Sequence, residues 1–269
     1  MRYIADHDYH IHSMLSLCSN DPMQSTENIL AYAKNNGFSK ICLTDHFWDE
    51  SIPVKYGFYN KQGFEHICQA LPLPTSDDIK FCFGCETEMD RFFTVGISEN
   101  LYDKFDFIIV PTTHLHFNGF TLEKDVFDPK RRAYIWAERF DKLLEKDLPF
   151  HKVGVAHLTC SLILAGEENG EPKYLSVLRN ISDETYRELF EKAAKKGIGI
   201  ELNFSFEKMK EHEREEVLRP YKIAKSAGCK FYLGSDAHHP STFESTDRIF
   251  SRAIDLLGLE ESDKFVVGK

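Results

Sequence analysis

The sequence predicts an α/β fold, a parallel barrel of seven strands alternating with helices in one domain spanning residues 1–269. Three observations carry this reading. Seven apolar, β-branched-rich runs end in a polar ligand-type residue: His10-Ile11-His12, Asp45-His46, Glu86, His114, His157, Asn203 and Asp236-Ala237-His238. Between these runs lie helical patterns, and strict strand–helix alternation argues for a parallel sheet. The length of 269 residues is close to the ~250 residues of one β/α barrel. A doubly wound open sheet is the competing arrangement, but it places its ligand at one switch point. Here every strand delivers a candidate ligand, which needs a closed ring.

The elements follow in order. Residues 4–12 form the first strand. Ser25 or Thr26 caps a helix running to about Asn36, with Gly37 at its end. Residues 40–45 are the second strand. Residues 47–60 are aromatic and irregular, and a helix follows near 61–70. Residues 79–86 and 105–110 are the third and fourth strands, the latter leading to His114. A long insertion, 116–129, precedes a helix over 130–146 with Tyr134, Ile135, Phe140, Leu143 and Leu144 as its apolar positions. The fifth strand is 152–156. A second, polar insertion spans 167–179. Asp183 caps a helix to Lys196, closed by Gly197. Residues 198–202 are the sixth strand, 207–227 are mostly helical, and 230–234 are the seventh strand. The last helix covers about 242–257.

Composition narrows the function. A net charge of −10 disfavours duplex DNA as a partner, because phosphate contacts need a basic surface. It does not disfavour a small phosphorylated substrate, since bound metal ions dominate the local field. The start of the chain has no apolar signal core, and no apolar stretch approaches the ~18 residues of a membrane span. An odd number of cysteines, seven, spread over strands and helices, reads as reduced thiols of a cytoplasmic protein. Cys82 and Cys85 form a lone CxxC inside a strand pattern, for which buried packing is the better reading than zinc.

Alternation along a strand puts His10 and His12 on one face, where two imidazoles can grip one ion. Strand carboxyl ends converge on one face of a barrel, so the other ligand-type residues meet them there. Imidazole and carboxylate donors suit Zn, Mn or Fe rather than Ca or a thiolate-bound structural zinc.

The ordered set Asp8-Tyr9-His10-Ile11-His12-Ser13, Thr44-Asp45-His46, Gly84-Cys85-Glu86, His114, Val155-Ala156-His157, Glu201-Leu202-Asn203 and Gly234-Ser235-Asp236-Ala237-His238 resembles the PHP (polymerase and histidinol phosphatase) family. Length and insertions are most similar to its monofunctional histidinol-phosphate phosphatases. The resemblance implies a distorted (β/α)7 TIM-like barrel holding two or three divalent metals. It assigns His10, His12, Glu86 and Asp236 to a first ion. Glu86 bridges to a second, completed by His114 and His157, and His46 and His238 hold a third. Where three-metal members often carry another His after the HxH motif, this chain has Cys18, whose thiolate can also bind zinc. Glu88 competes with Glu86, and His116 with His114, each sharing its rival's face.

The implied activity is metal-dependent hydrolysis of a phosphate monoester. L-histidinol phosphate is the expected substrate, and nucleotides or short oligonucleotides are the alternative. A non-catalytic metal-binding module is a third reading, whose sign would be a decayed ligand set. Asp236 and His238 are the candidates for protonating the leaving alkoxide. Arg131 and Arg132, after the long insertion, are candidate phosphate contacts, with a solvated helix turn as the competing reading. Lys55 is another such candidate. Asn203 is expected to line the pocket, and Tyr56, Phe58, Tyr59 and Phe117 to wall a small organic group. Oligomeric state is not encoded in any of these features.

Overall fold

Seven parallel strands form in the computed structural model, and their order in space follows their order in the chain. The structure describes residues 1–267 apart from 20, 55, 205, 207 and 208. The strands are β1 His7–Ile11, β2 Lys40–Leu43, β3 Lys80–Thr87, β4 Phe107–Ile109, β5 Val153–Val155, β6 Gly199–Leu202 and β7 Lys230–Leu233. A two-residue piece, His46–Phe47, pairs with the carboxyl end of β3 in the register His46↔Glu86. The fold is therefore the distorted seven-stranded TIM-like barrel expected from the sequence.

The barrel is nearly closed, and its seam lies between β7 and β1. At the carboxyl end main-chain bonds join the two, Asp236 N to His10 O at 2.8 Å and His12 N to Ala237 O at 3.0 Å. Lower down, side chains replace the ladder. Leu233 N donates to His7 Nε2 at 3.1 Å and Ser235 N to Asp8 Oδ1 at 3.0 Å. Unpaired strand-edge groups are costly when buried, so these side chains satisfy what the missing ladder leaves open.

Between Asp8 and Ile11 the β1–β2 register shifts, three residues on β1 spanning two on β2. Such a bulge re-aims side chains. Below it Tyr9 packs inside the barrel with Cys42, Cys82, Phe107, Ile109, Ala156, Tyr232, Phe265 and Val267. Above it His10 and His12 both face the carboxyl-end centre, while Ile11 packs in the outer core. The interior plug is aromatic, and Gly154 makes room for it. A Cβ there would lie 2.6 Å from both the Phe107 and Tyr232 rings. From the far end of the chain, Phe265 N donates to Phe231 O at 2.7 Å and carries Phe265 and Val267 into the plug.

Helices cover the outside. They are α1 Thr26–Asn35, α2 Phe64–Ile67, α3 Pro129–Leu144, α4 Lys173–Arg179, α5 Asp183–Lys196, α6 Glu211–Ser226 and α7 Thr246–Leu257. Ser25 and Asp128 accept from the first turns of α1 and α3. Ser182, rather than Asp183, caps α5. Three further expectations shift. The helix expected at 61–70 is a single α-turn flanked by 3₁₀ turns. The polar insertion 167–179 holds a short hairpin and α4, which buries Tyr174, Leu175, Val177 and Leu178. The last helix begins at Thr246, after a 3₁₀ turn at Pro240–Glu244. Cys82 and Cys85 fall in different core clusters, so the CxxC is packing. All seven cysteines are free thiols. Among the described residues no helix is long and apolar enough to cross a membrane.

Candidate metal centre

Three sets of donors at the carboxyl ends of the strands have ligand atoms within 4.8 Å of one another: His10, His12 and Glu86; Glu86, His114 and His157; His12, His46 and His238. Glu86 is common to the first two sets and His12 to the first and third. Asp236 adjoins the first, its Oδ1 lying 3.4 Å from His10 Nε2 and 3.2 Å from His12 Nε2. Glu86 Oε2 is 3.6 Å and 3.4 Å from the same two nitrogens, and Oε1 is 3.3 Å from His157 Nε2.

The outer nitrogens of five of these histidines have partners. His10 Nδ1 donates to Glu201 Oε1 at 2.6 Å. His12 Nδ1 lies 2.9 Å from Ser16 Oγ, and Ser16 in turn donates to Asp45 Oδ1 at 2.6 Å. His114 Nδ1 is 2.8 Å from Glu88 Oε2, His157 Nδ1 is 2.8 Å from Thr113 Oγ1, and His238 Nδ1 is 2.9 Å from the carbonyl of Asp236. A carboxylate or carbonyl accepts, so the facing Nδ1 carries the proton and Nε2 presents a lone pair. This outer arrangement is typical of histidines that bind metals.

The lone pairs then meet each other. His10 Nε2 and His12 Nε2 are 3.1 Å apart, with two carboxylate oxygens beside them. Four converging polar atoms are a donor set that suits a cation. His46 Nδ1 is buried with no hydrogen-bond partner, although it sits 2.9 Å from Glu86 Oε2. An orphaned nitrogen aimed at a carboxylate fits an ion between them. The donor set of imidazoles and carboxylates fits Zn, Mn or Fe.

Without an ion, the clustered carboxylates draw protons onto His10, His12 and His157, the place a metal would take. Burial pushes the Glu86 carboxyl up, but His46 and His10 beside it hold it well below the usual range. Burial lowers His10, and Glu201, Asp236 and Glu86 outweigh it and raise the imidazole well above its ordinary value. By contrast, burial carries His114 and His238 down to about 3, with His12 adding to the effect on His238. These two imidazoles are neutral and open to a cation. Burial raises Glu88 to about 8, against the pull of Arg139.

Backbone strain also collects here. His157 and Asp236 adopt φ values of 29° and 53°, in the left-handed region. Such residues cost about 1–3 kcal/mol each and gather at functional sites. Gly234 serves the same end by close approach. A Cβ would lie 2.0 Å from Glu201 Oε1 and 2.7 Å from His10 Cβ, so only glycine lets β7 pass over the Glu201–His10 pair.

All eight expected ligands, His10, His12, His46, Glu86, His114, His157, Asp236 and His238, come together. The other expectations divide. Cys18 is exposed and belongs to none of the close ligand sets; burial of its sulfur with Glu86 and Asp236 nearby pushes its thiol up to about 12. Asn203 follows β6, and its Nδ2 is buried with no partner among the described residues. Arg132 has a different task from the one expected. It is buried and donates to the carbonyls of Leu115, Val126 and Ile163, which leaves its guanidinium committed to backbone. Arg131 is exposed, 4.9 Å from the Tyr134 ring, in an outer groove with Arg91, Lys124 and Glu138 that contains none of the ligand residues. Lys55 lies outside the described residues. Phe58 packs 5.2 Å from His46 and Phe117 5.6 Å from His114, so these two rings flank the ligands. Tyr56 and Tyr59 stand behind them in a cluster with Trp48 and Phe120.

Glu201, Arg139, Ser16 and Thr113 are the partners sequence reasoning missed. Glu201 had a signal: a carboxylate inside an apolar strand run is almost never buried unless paired. Ser16 and Thr113 had none, because hydroxyls are common in loops.

The PHP domain family matches residues 8–205. The matched span holds six of the eight expected ligands, and Asp236 and His238 lie beyond it. A crystal structure of histidinol phosphate phosphatase from Lactococcus lactis subsp. lactis Il1403, complexed with zinc, L-histidinol and phosphate, is similar in fold. It has a TM-score of 0.58 and 18% identity, covering 98% of this chain and 99% of that one. No curated protein sequence matches the chain.

Proposed function

Because this chain belongs to the PHP domain family, we propose that it is a metal-dependent phosphatase that hydrolyses L-histidinol phosphate to L-histidinol and phosphate. The observation that carries the reading is the chain of three ligand sets joined through Glu86 and His12. Such a row of sites suits a phosphoryl group, which needs charge neutralised on several oxygens at once. An intact ligand set also argues against a decayed, non-catalytic module.

His10, His12, Glu86 and Asp236 would hold one ion, Glu86, His114 and His157 a second, and His46 and His238 a third, with Cys18 at the rim. When bound, the ions would supply Lewis-acid neutralisation of the phosphoryl oxygens and a water of lowered pKa. The chain's own residues do the rest. Glu86, buried and ionised, fixes the spacing of the sets. Asp236 and His238 are the partly open members, their side chains about 30% and 28% exposed, so the substrate enters past them. That exposure keeps them the candidates to relay a proton from solvent to the leaving alkoxide. Asn203 Nδ2, a buried donor without a partner, suits a substrate oxygen. Phe58 and Phe117 offer flat apolar faces beside the ligands, which suits a planar imidazole leaving group. The ligands of the Lactococcus structure support the same substrate.

The test is phosphate release from L-histidinol phosphate by protein loaded with Mn or Zn, against a chelated control. Turnover abolished by chelation is expected. Metal bound without turnover would sink this substrate and send the search to nucleotide and sugar phosphates.

A further inference from the structure

His114 differs from the other inward histidines in how it is held. His10 and His12 lie at the end of β1, and His157 follows β5 closely. His114 sits five residues beyond the end of β4 at Ile109, on loop backbone that cannot aim a ring by itself. Its orientation comes from elsewhere. Nδ1 meets Glu88 Oε2 at 2.8 Å, and Glu88 Oε1 meets Arg139 Nη2 at 3.1 Å and Met89 N at 2.8 Å. The Glu88 and Arg139 side chains are 0% and 1% exposed.

We infer that Arg139 and Glu88 form a positioning relay that aims His114 and so sets the occupancy of the Glu86–His114–His157 set. The inference rests on the metal-centre reading and deepens it. A buried carboxyl group ionises only beside a countercharge, which here opposes the burial that raises Glu88. Arg139 supplies that charge from α3, on the outside of the barrel.

The same arginine ties the relay to the long insertion. It donates to the carbonyls of Met89, Asp90 and Thr121. Thr121 Oγ1 in turn donates to the carbonyl of His114. Arg132 stands two helical turns earlier on the same face of α3, and it grips Leu115 and Val126. Helix α3 thus clamps the segment carrying Phe117 at three points, and Arg139 joins that clamp to a ligand histidine. Substrate wall and second ion are held by one element.

The experiment has a metal-free arm and a metal arm, both on the full chain. In the metal-free chain, ¹⁵N-correlated NMR of the imidazoles reports the His114 tautomer. Wild type is expected to hold Nδ1–H, and Glu88→Gln to mix the tautomers. In the metal arm, zinc stoichiometry and affinity are read by competition titration and elemental analysis. Glu88→Gln is expected to weaken one ion about 10–100-fold and leave the others as in wild type. The double variant with His114→Ala should bind metal no worse than His114→Ala alone. Should Glu88→Gln fail to fold, Arg139→Lys keeps the charge and loses the fork, and the same single-ion weakening is expected. An unchanged tautomer together with unchanged metal affinity in a folded variant would overturn the relay. Wild type that binds no metal but shows the tautomer shift would overturn the metal-centre reading and leave the orienting role of Glu88 standing.

Discussion

The two ends of the barrel use opposite physics. At the amino end Tyr9, Phe107, Tyr232, Phe265 and Val267 fill the interior with rings and methyls. At the carboxyl end the same interior holds histidines and carboxylates whose nitrogens and oxygens face one another at 2.9–3.6 Å. The lower half stabilises itself by burial and packing. The upper half carries left-handed backbone at His157 and Asp236 and an orphaned nitrogen at His46, and its donor sets suit cations. Conservation of fold and chemistry on separate ends is the usual division in β/α barrels. Here the boundary falls at the bulge in β1 between Asp8 and Ile11.

The largest effect should come from the residue shared by two ion sets. Glu86→Gln is expected to lower kcat on a phosphate monoester by about 10³-fold or more, with loss of bound metal. Elemental analysis and steady-state kinetics check it. Its mirror at the other end is Phe107→Ala. That change empties a ring from the plug and should cost about 3–5 kcal/mol of stability, read from denaturant melts, while kcat of the folded fraction at low temperature stays near wild type. A Phe107→Ala chain that melts normally but turns over slowly would break the division between the ends.

Metal removal sharpens the comparison further. A ligand that binds only the folded state stabilises it by mass action, about 2.7 kcal/mol at a hundredfold excess over Kd. Chelation should therefore lower the melting temperature of the wild type. It should move that of His10→Ala/Glu86→Gln much less, since only the His12, His46 and His238 set is left intact. If chelation shifts both equally, the upper half does not depend on ions for its stability.

Much of this was legible in the chain because ligands punctuate strands. His10-Ile11-His12 interrupts an apolar run with period-two polar residues, and period two is what a strand face reads out; Asp236 and His238 instead lie past Leu233, where β7 ends, and a left-handed turn at Asp236 brings them in. The bulge was not legible, since nothing in Asp8-Tyr9-His10 marks an extra residue. Helix α4 was hidden because Tyr174, Leu175 and Leu178 carry a helical stripe through charged surroundings. Arg132 was misread for a general reason. An arginine at a helix start after a long insertion looks the same whether it waits for phosphate or holds the insertion's carbonyls, and only the path of residues 115–126 decides. Glu201 and Glu88 lie between these cases, each a carboxylate in an apolar run whose histidine partner is far away in sequence.

The smallest effect belongs to the amino end and is one of pH. Asp6, just before β1, meets His7 Nδ1 at 2.8 Å and Lys264 Nζ at 3.1 Å, which pins the C-terminal segment beneath the plug. Burial pushes the Asp6 carboxyl up, but the hydrogen bond from His7 and the charge of Lys264 outweigh it and bring it down to about 2. An unfolded aspartate titrates near about 3.9. The folded value is the lower one, so the pairing stabilises the fold above about pH 4 and is lost as pH falls toward 2. Roughly a third of the side chain is open to water, so solvent screening holds the contribution to about 1 kcal/mol or less. Melting temperatures of chelated wild type and Asp6→Asn, measured from pH 6 down to pH 2, should differ at the top of that range and converge at the bottom. A gap that persists at pH 2 would mean the variant harms packing rather than charge. Turnover of the metal-loaded Asp6→Asn chain at neutral pH should match wild type, because no bond from Asp6 reaches the carboxyl end.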